Sequence, residues 1–245
     1  MDWVVVPARD EEARIAACLG ALSAQPEARA GRLGVVVVLD GCRDRTAAEV
    51  TAAARRSALR VVTTEGPGAG PGPARRHGMS VARELADPRT RLLLSTDADT
   101  RVAPDWVGVQ RRAVRERGAQ AIGGRILLDP VEAALLADGV VAARTAAAVG
   151  RLAAVRRHAP EAEHHHFSGG SLSITPVAYD LVGGIPAVTT LEDEALEREL
   201  RRAGIAIHYL EAVRVVTSAR TDGRARLGLS DALAAWERER AVALP

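Results

Sequence analysis

Apolar runs alternate with helical patterns through the first hundred residues of the chain. Four short runs predict strands at residues 4–6, 33–39, 59–64 and 91–96. Between them, apolar residues recur every three to four positions, which predicts helices at about residues 11–24, 44–56 and 73–86. The run Leu33–Leu39 is almost wholly apolar, as expected for a strand covered by helices on both faces. The alternation therefore predicts βαβ units and a parallel sheet of the nucleotide-binding type.

The second half of the chain has a less regular pattern. It predicts helices at about residues 104–117, 131–155, 191–203 and from 227 onward, and strands at 119–128, 205–209 and 213–216. No repeat or linker separates the halves, so we predict one domain, residues 1–245, with a nucleotide-binding half (1–103) and an acceptor-side half (104–245). The Ala-rich helix at 131–155 could also provide a packing face for a homodimer.

Composition excludes several kinds of chemistry. All 33 basic residues are arginine, so a Schiff-base lysine or a P-loop lysine cannot occur. A net charge of +2, with one Phe, two Tyr and three Trp, argues against a nucleic-acid partner. No window is long and apolar enough to predict a transmembrane segment. The two cysteines lack metal spacing and no signal-like segment is present, which favours a cytoplasmic location.

Polar or glycine-rich segments follow the end of every predicted strand in the first half. They are residues 7–12, 40–44, 66–76 and 97–99. In open α/β sheets this edge binds ligands, because the loops converge where the strand order reverses. The alternative is that these residues only cap helices, as Asp44 and Glu11 could. The segment 66–73 lacks the glycine spacing of a dinucleotide motif, so we interpret it as a flexible flap or spacer.

Asp97 and Asp99 give the sharpest chemical signal, because they follow an apolar strand and are two residues apart. Two like charges this close are costly without a cation or hydrogen-bond donors. Such a pair can hold one hard divalent cation, Mn²⁺ or Mg²⁺, against a diphosphate, with water completing the coordination. A lone Asp-x-Asp is more often a surface turn, and its position after a buried strand strengthens the metal hypothesis.

Five segments resemble, in order and spacing, the family 2 glycosyltransferases of GT-A fold. They are residues 4–12 (VVVPARDEE), 36–46 (VVVLDGCRDRT), 74–78 (ARRHG), 97–99 (DAD) and 191–194 (LEDE). The resemblance covers about residues 3–220. It implies an α/β fold of the GT-A type, with a mostly parallel central sheet flanked by helices. It also implies transfer of a sugar from a nucleotide diphosphate sugar to an acceptor hydroxyl.

On the donor side, the resemblance implies a set of residues that bind the nucleotide sugar. Asp40 would accept a hydrogen bond from a uracil-like base edge, and Arg75 would lie near the base and phosphates. Gly169 and Gly170 resemble a small-residue wall beside the donor sugar, with a simple tight turn as the alternative. The full donor set is Pro7, Ala8, Glu11, Glu12, Asp40, Arg75, Asp97, Ala98, Gly169 and Gly170.

For catalysis, the resemblance implies that Asp99 is the direct metal ligand and that Asp97 is a ribose-side or metal-side carboxylate. Asp193 would be the general base that takes the proton from the acceptor hydroxyl. A base on the face opposite the leaving group predicts inversion at the anomeric carbon. Without the resemblance, Glu192 and Asp193 would be first-turn acids favoured by the helix dipole.

Four further residues are weaker candidates. His208 lies in a region where some GT-A enzymes supply another metal ligand, although a structural histidine is the alternative. Arg220 and Arg224 could bring guanidinium groups to the diphosphate, or lie in a solvated turn. His166, in the run of three histidines at 164–166, could belong to an acceptor-site loop, a plain surface loop or a metal site.

The chain departs from the family pattern at two positions. Arg76 stands where Asn is usual, and Leu39 stands where an acid is frequent, which leaves the donor sugar and base unassigned. The QxxRW element of processive synthases is absent, which favours a single-transfer enzyme. Two alternatives stay open: a nucleotidyltransferase, which the acidic residues 7–12 disfavour, and a non-catalytic protein that binds sugar nucleotides.

Overall fold

Eight strands and ten helices form the part of the chain that the computed structural model describes, residues 1–223 and 227–242. The strands are β1 (Asp2–Ala8), β2 (Leu33–Leu39), β3 (Arg60–Glu65), β4 (Leu93–Thr96), β5 (Thr100–Val102), β6 (Ala121–Leu128), β7 (Ser171–Ile174) and β8 (Ile207–Thr217). The helices are α1 (Ile15–Ser23), α2 (Pro26–Arg29), α3 (Thr46–Arg55), α4 (Pro71–Leu85), α5 (Trp106–Arg117), α6 (Pro130–Ala133), α7 (Val140–Arg156), α8 (Pro176–Leu181), α9 (Glu192–Arg202) and α10 (Leu229–Val242).

The strands lie in one mixed sheet, in the order β3-β2-β1-β4-β7-β6-β8-β5. Strands β3, β2, β1 and β4 are parallel, as the alternating pattern predicts. Strand β7 runs antiparallel to both β4 and β6, and β5 runs antiparallel to β8. The prediction of a mostly parallel sheet therefore holds for the first half, whereas the second half is mixed. One sheet draws strands from both halves, which is consistent with the proposed single domain.

The hydrophobic core lies on both faces of this sheet because successive side chains of a strand point to opposite faces. Val4 and Val6 pack in a cluster with α1 and α5, whereas Trp3 and Val5 pack in a second cluster with α4 and α9. All four side chains are essentially fully buried. Burying each aliphatic side chain of this kind contributes about 1.5–3 kcal/mol, so the apolar runs explain why these strands are central.

Three predicted elements of the second half, one helix and two strands, are wrong in extent. The single helix predicted at 131–155 is two helices, α6 and α7, separated at Gly139, whose φ of 82° favours glycine. Asp129 begins α6 by accepting hydrogen bonds from the backbone N–H groups of Val131 and Glu132. The strands predicted at 205–209 and 213–216 are one strand, β8, with a register shift opposite Gly124 and Arg125. A bulge of this kind interrupts the alternation that sequence patterns rely on.

The helices of residues 1–223 and 227–242 include none that is long and apolar enough to cross a membrane.

We predict that Gly78→Ala lowers the free energy of unfolding by about 1–3 kcal/mol, the usual cost of overpacking a core. Helix α4 lies so close to the sheet that a Cβ at Gly78 would be 2.4 Å from Cγ1 of Val5 and 2.6 Å from Cγ2 of Val38. Gly20→Ala is the matched control, because a Cβ there meets nothing within 4 Å and the change should stabilise α1 by about 0.5–1 kcal/mol. Urea unfolding of both variants measures the difference, and equal stability would contradict the close packing.

Candidate active site

A cavity of about 750 Å³ opens at the carboxyl ends of β1, β2 and β4. Parallel strands bring their carboxyl ends to one edge, which is why loops distant in sequence meet there. Thirteen of the predicted site residues line this cavity: Pro7, Ala8, Glu11, Asp40, Arg75, Asp97, Ala98, Asp99, Gly169, Gly170, Glu192, Asp193 and Arg220. The structure therefore gathers most of the candidates in one place.

Arg75 is the centre of a buried network beneath these loops. Its Nε donates to Glu192 Oε1 at 3.0 Å, its Nη2 donates to Asp97 Oδ1 at 2.7 Å, and its Nη1 donates to the carbonyl oxygen of Gly169 at 2.9 Å and to Ser95 Oγ. Burial lowers the pKa of Arg75, but the carboxylates of Asp97 and Glu192 outweigh it and raise the pKa above its ordinary value. Four of its five N–H groups thus donate to protein atoms. Arg75 therefore positions the segments that carry these acceptors.

Gly169 and Gly170 border this network at close range. A Cβ at Gly169 would lie 2.2 Å from Cζ of Arg75, and a Cβ at Gly170 would lie 2.9 Å from Oδ2 of Asp97. The N–H of Ser171 also donates to the carbonyl oxygen of Ser168 at 2.9 Å, so the segment forms a tight turn as well. Residues 168–171 can therefore form a tight turn and a small-residue wall at the same time.

Arg220 binds two acids on the opposite wall of the cavity. Its Nη2 lies 2.9 Å from Asp99 Oδ2, and its two terminal nitrogens donate to the two carboxylate oxygens of Glu11. Burial and the charge of Asp97 raise the pKa of Asp99 to about 6, although Arg220 opposes the shift. The side chain of Arg220 is 19% exposed, so the alternative of a solvated turn is wrong for this residue.

Asp193 lies in the first turn of α9, where it faces the cavity. Its carboxylate accepts hydrogen bonds from the N–H of Gly169 at 3.3 Å and from the N–H of Glu194 at 2.9 Å. Burial and the adjacent charge of Glu192 raise its pKa, with Arg75 opposing them. The helix starts at Leu191, whose φ of 55° is uncommon for a branched residue and costs about 1–3 kcal/mol. This strained residue directly precedes the acid pair, and no sequence pattern signals it.

Asp40 anchors the Gly/Pro loop that precedes α4. Its buried carboxylate accepts hydrogen bonds from the N–H of Gly68 at 2.6 Å and from the N–H of Gly70 at 3.0 Å. The loop predicted as a flap or spacer is therefore tied to the end of β2. Each carboxylate oxygen retains a lone pair, so Asp40 can still accept a hydrogen bond from a ligand in the cavity.

Asp44 and Glu12 belong to a capping arrangement outside the cavity lining. Asp44 accepts from the N–H of Thr46 at 2.9 Å and from the N–H of Glu12 at 3.0 Å, which fits the helix-capping alternative for this residue. Glu12 is exposed and accepts from the N–H of Arg45 at 2.9 Å. Of the two acids predicted near the nucleoside, the structure therefore brings only Glu11 to the cavity.

His208 is a correction to the predicted site. It pairs with Ile122 at the start of β8, whereas Thr217, nine residues further along the same strand, lines the cavity. Their partners on β6, Ile122 and Leu128, are six residues apart, so at about 3.3 Å per residue the two positions are separated by roughly 20 Å. Its pKa is lowered by burial and by Arg117, and it has the environment of a structural histidine. A sequence pattern does not show which end of a strand reaches the site.

His166 and Arg224 complete the account of the weaker candidates. His166 lies outside the cavity lining, with its Nδ1 3.5 Å from the N–H of Ile126 and its ring 4.0 Å from that of His165. Within residues 1–223 and 227–242, no three His, Cys, Asp or Glu side chains are grouped so that they could hold a metal ion, which removes support for a histidine metal site. Arg224 lies outside the described residues.

The residues around Asp97 and Asp99 fit a divalent cation that a diphosphate helps to bind. Mn²⁺ and Mg²⁺ at nucleotide sites are typically held by one or two carboxylates, with phosphate oxygens and water as the other ligands. Asp97 and Asp99 line the cavity together, and the second carboxylate is largely buried among other acids, which a cation would offset. The lack of a third protein ligand in the described part of the chain agrees with this kind of site.

Taken together, the sheet order and the acidic cavity at its switch point define a nucleotide-sugar transferase fold of the GT-A class. The model of the family described as Glycosyl transferase family 2 matches residues 3–135, which is more than half of the chain. The chain therefore belongs to glycosyl transferase family 2. No curated protein matches the sequence.

Solved structures support the fold. The chain is similar to the mannosyltransferase PcManGT from Pyrobaculum calidifontis in complex with GDP-Man and Mn²⁺, with 19% identity, a TM-score of 0.68, and 100% of this chain and 64% of that chain covered. It is similar to S. aureus TarS 1–349 in complex with UDP-GlcNAc, with 17% identity, a TM-score of 0.62, and 91% and 59% covered.

A third similar structure is the glucosyl-3-phosphoglycerate synthase from Mycobacterium tuberculosis with Mn²⁺, UDP-glucose and glycerol 3-phosphate. The identity is 19%, the TM-score is 0.60, and 97% of this chain and 76% of that chain are covered. At these identities the similarity establishes the GT-A fold. The chain spans less than two thirds of the length of the first two structures.

We predict that Arg75→Gln lowers the free energy of unfolding by about 3–5 kcal/mol, because it leaves Glu192 buried without its ion-pair partner, and the 42% exposed Asp97 loses its partner as well. Arg83→Gln is the matched control on the same helix. Its ion pair with Asp180 is 40–49% exposed, so its loss should cost less than about 1 kcal/mol. Thermal and urea unfolding of both variants check the difference, and similar small losses would show that the Arg75 network contributes little.

Proposed function

We propose that this chain transfers a sugar from a nucleoside diphosphate sugar to an acceptor hydroxyl, with a divalent cation and with inversion at the anomeric carbon. One observation carries the proposal: the carboxylates after β4 and the acidic pair that opens α9 line the same cavity. Arg75 joins them directly, since it bonds both Asp97 and Glu192. The family membership supports it, as do the Mn²⁺ and nucleotide sugars bound in similar structures.

The donor would lie along the carboxyl edge of the sheet. Pro7, Ala8 and Asp40 would contact the nucleoside, and Arg220 would pair with diphosphate oxygens through its guanidinium. Asp99 and Asp97 would hold Mn²⁺ or Mg²⁺, which would offset the negative charge that develops on the leaving diphosphate. Gly169 and Gly170 would form the small-residue wall beside the sugar, and they pack closely against Arg75 and Asp97, which a Cβ at either position would meet.

Asp193 would act as the general base. It would accept the proton of the acceptor hydroxyl as that oxygen forms a bond to the anomeric carbon and the bond from that carbon to the diphosphate breaks. Two backbone N–H groups orient the carboxylate, and Glu192 is kept away from this role by its ion pair with Arg75. Attack from the side opposite the diphosphate inverts the anomeric centre. We also propose that the protein is located in the cytoplasm.

We predict that Asp193→Asn lowers kcat by about 10² or more while donor binding is unchanged. The raised pKa of Asp193 gives the sign of a pH effect, because the base is lost when the carboxylate is protonated. The wild-type rate should therefore fall with decreasing pH at values above the ordinary aspartate pKa of 3.8, and the variant should lose this dependence. Steady-state rates at saturating Mn²⁺ and calorimetric donor binding measure both effects.

A nearly normal rate would remove Asp193 from the mechanism, and donor binding without turnover in the wild type would favour a sensor.

We predict that Asp99→Ala abolishes the gain in nucleotide-sugar affinity that Mn²⁺ provides. Calorimetry with UDP-, GDP- and dTDP-sugars, in Mn²⁺ and in EDTA, compares the affinities. Asp180→Ala is the control, because Asp180 is exposed and pairs only with Arg83 among the described residues. An unchanged Mn²⁺ effect in Asp99→Ala would exclude this carboxylate as a metal ligand.

A further inference from the structure

Helix α7 carries Arg144 and Arg151 on the same side as its first residue, Val140. The three residues lie within about 40° of one another around the helix, and Val140 is fully buried, Arg144 is half-buried and Arg151 is exposed. Val149, on the other side, is 68% exposed. The half-buried guanidinium of Arg144 therefore needs polar partners.

Arg144 and the histidine loop meet on the backbone of Ile126. The Nη2 of Arg144 donates to the carbonyl oxygen of Ile126 at 2.8 Å, and the N–H of Ile126 points to Nδ1 of His166 at 3.5 Å. The ring of His165 lies against that of His166, with centroids 4.0 Å apart. These contacts place Arg144 of α7 beside the imidazole rings of His165 and His166.

The charge in this cluster is one-sided. In the part of the chain that the structure describes, no carboxylate lies within 4.0 Å of Arg144 or Arg151, whereas Arg125 pairs with Glu211 at 3.0 Å. Burial and then the charges of Arg125 and Arg151 lower the pKa of Arg144. Burial, helped by the same arginines, lowers the pKa of His165 to about 4, so its imidazole is neutral near pH 7. Like charges held together in this way are costly unless an anion joins them.

The cluster adjoins the proposed active site through Ile126. The side chain of Ile126 lines the cavity, and its Cδ1 lies 3.5 Å from the position that a Cβ on Gly170 would occupy. Asp193 lines the same cavity. Ile126 therefore lies between the cavity and Arg144, whose own side chain is outside the cavity lining.

We infer that Arg144 and Arg151, with Arg125 and His165 beside them, form a subsite for an anionic group of the acceptor, a phosphate monoester or a carboxylate. Guanidinium groups bind such anions with paired hydrogen bonds, and a neutral imidazole adds an N–H donor. The inference rests on the proposed function, because it assigns the anion to the acceptor. It also gives the histidine run a role as a hydrogen-bonding wall rather than a metal site.

Calorimetric titration of the full chain, saturated with UDP and Mn²⁺, tests the subsite with three probes. Glycerol 3-phosphate carries a phosphate monoester, glycerate carries a carboxylate, and glycerol carries no charge. We expect one or both anions to bind and glycerol not to bind. In Arg144→Gln/Arg151→Gln the anion affinity should fall at least tenfold, and Arg151→Gln alone should lower it by a smaller factor.

The variants are chosen so that folding does not decide the outcome. Gln at 144 keeps an N–H donor for the carbonyl oxygen of Ile126, and Arg151 is exposed in the wild type. Arg157→Gln is the control, since it removes the same charge from the exposed end of α7 and should leave anion affinity unchanged. Absence of anion binding in the wild type, or equal binding in the double variant, would overturn the subsite.

Donor binding measured on the same samples separates this inference from the proposed function. The double variant should bind nucleotide sugar as the wild type does. If anions bind through the arginines but no sugar nucleotide binds, the proposed function fails and the anion site stands. If sugar nucleotides bind and anions do not, the anion site alone fails.

Discussion

The ion pairs of the buried Arg75 side chain are the interaction on which the cavity depends. Its guanidinium, 4% exposed, bonds Asp97 after β4 and Glu192 on α9, together with the carbonyl oxygen of Gly169 before β7. A planar group with donors in several directions can join three segments in this way, whereas a lysine would present one point charge. The relative position of the Asp97–Asp99 pair and Asp193 therefore follows from the geometry of one side chain.

Charge divides the site into two regions of opposite character. Near the proposed diphosphate position, the carboxylates of Glu11, Asp97, Asp99 and Glu192 share two guanidinium groups, those of Arg75 and Arg220. This surplus of negative charge suits a divalent cation that arrives with a diphosphate. Beyond Ile126 the charge is positive, because Arg144 and Arg151 have no carboxylate partner among the described residues. A cation-assisted donor and an anionic acceptor would each meet complementary charge.

Sequence reasoning succeeded where the chemistry follows a strand end. Asp40, Asp97 and Asp99 come directly after buried strands, so their meeting at one edge could be predicted from the alternation of strands and helices. It failed for His208, since the pattern shows a strand but not which end of it approaches the site. Leu191 gave no signal, because a left-handed φ is uncommon for leucine and the residue type does not indicate it. The split between α6 and α7 was also hidden, since alanine continues a helical pattern through a turn.

By itself, the sequence determined the parallel half of the sheet, the two-sided core and the set of carboxylates at one edge. These follow from periodicity and strand direction, which act over a few residues. Only the tertiary structure decided which charges neutralise one another. Arg75 and Glu192 are 117 positions apart, and Arg220 and Glu11 are 209 apart. Such pairs depend on how distant elements pack, and local patterns carry no information about that distance.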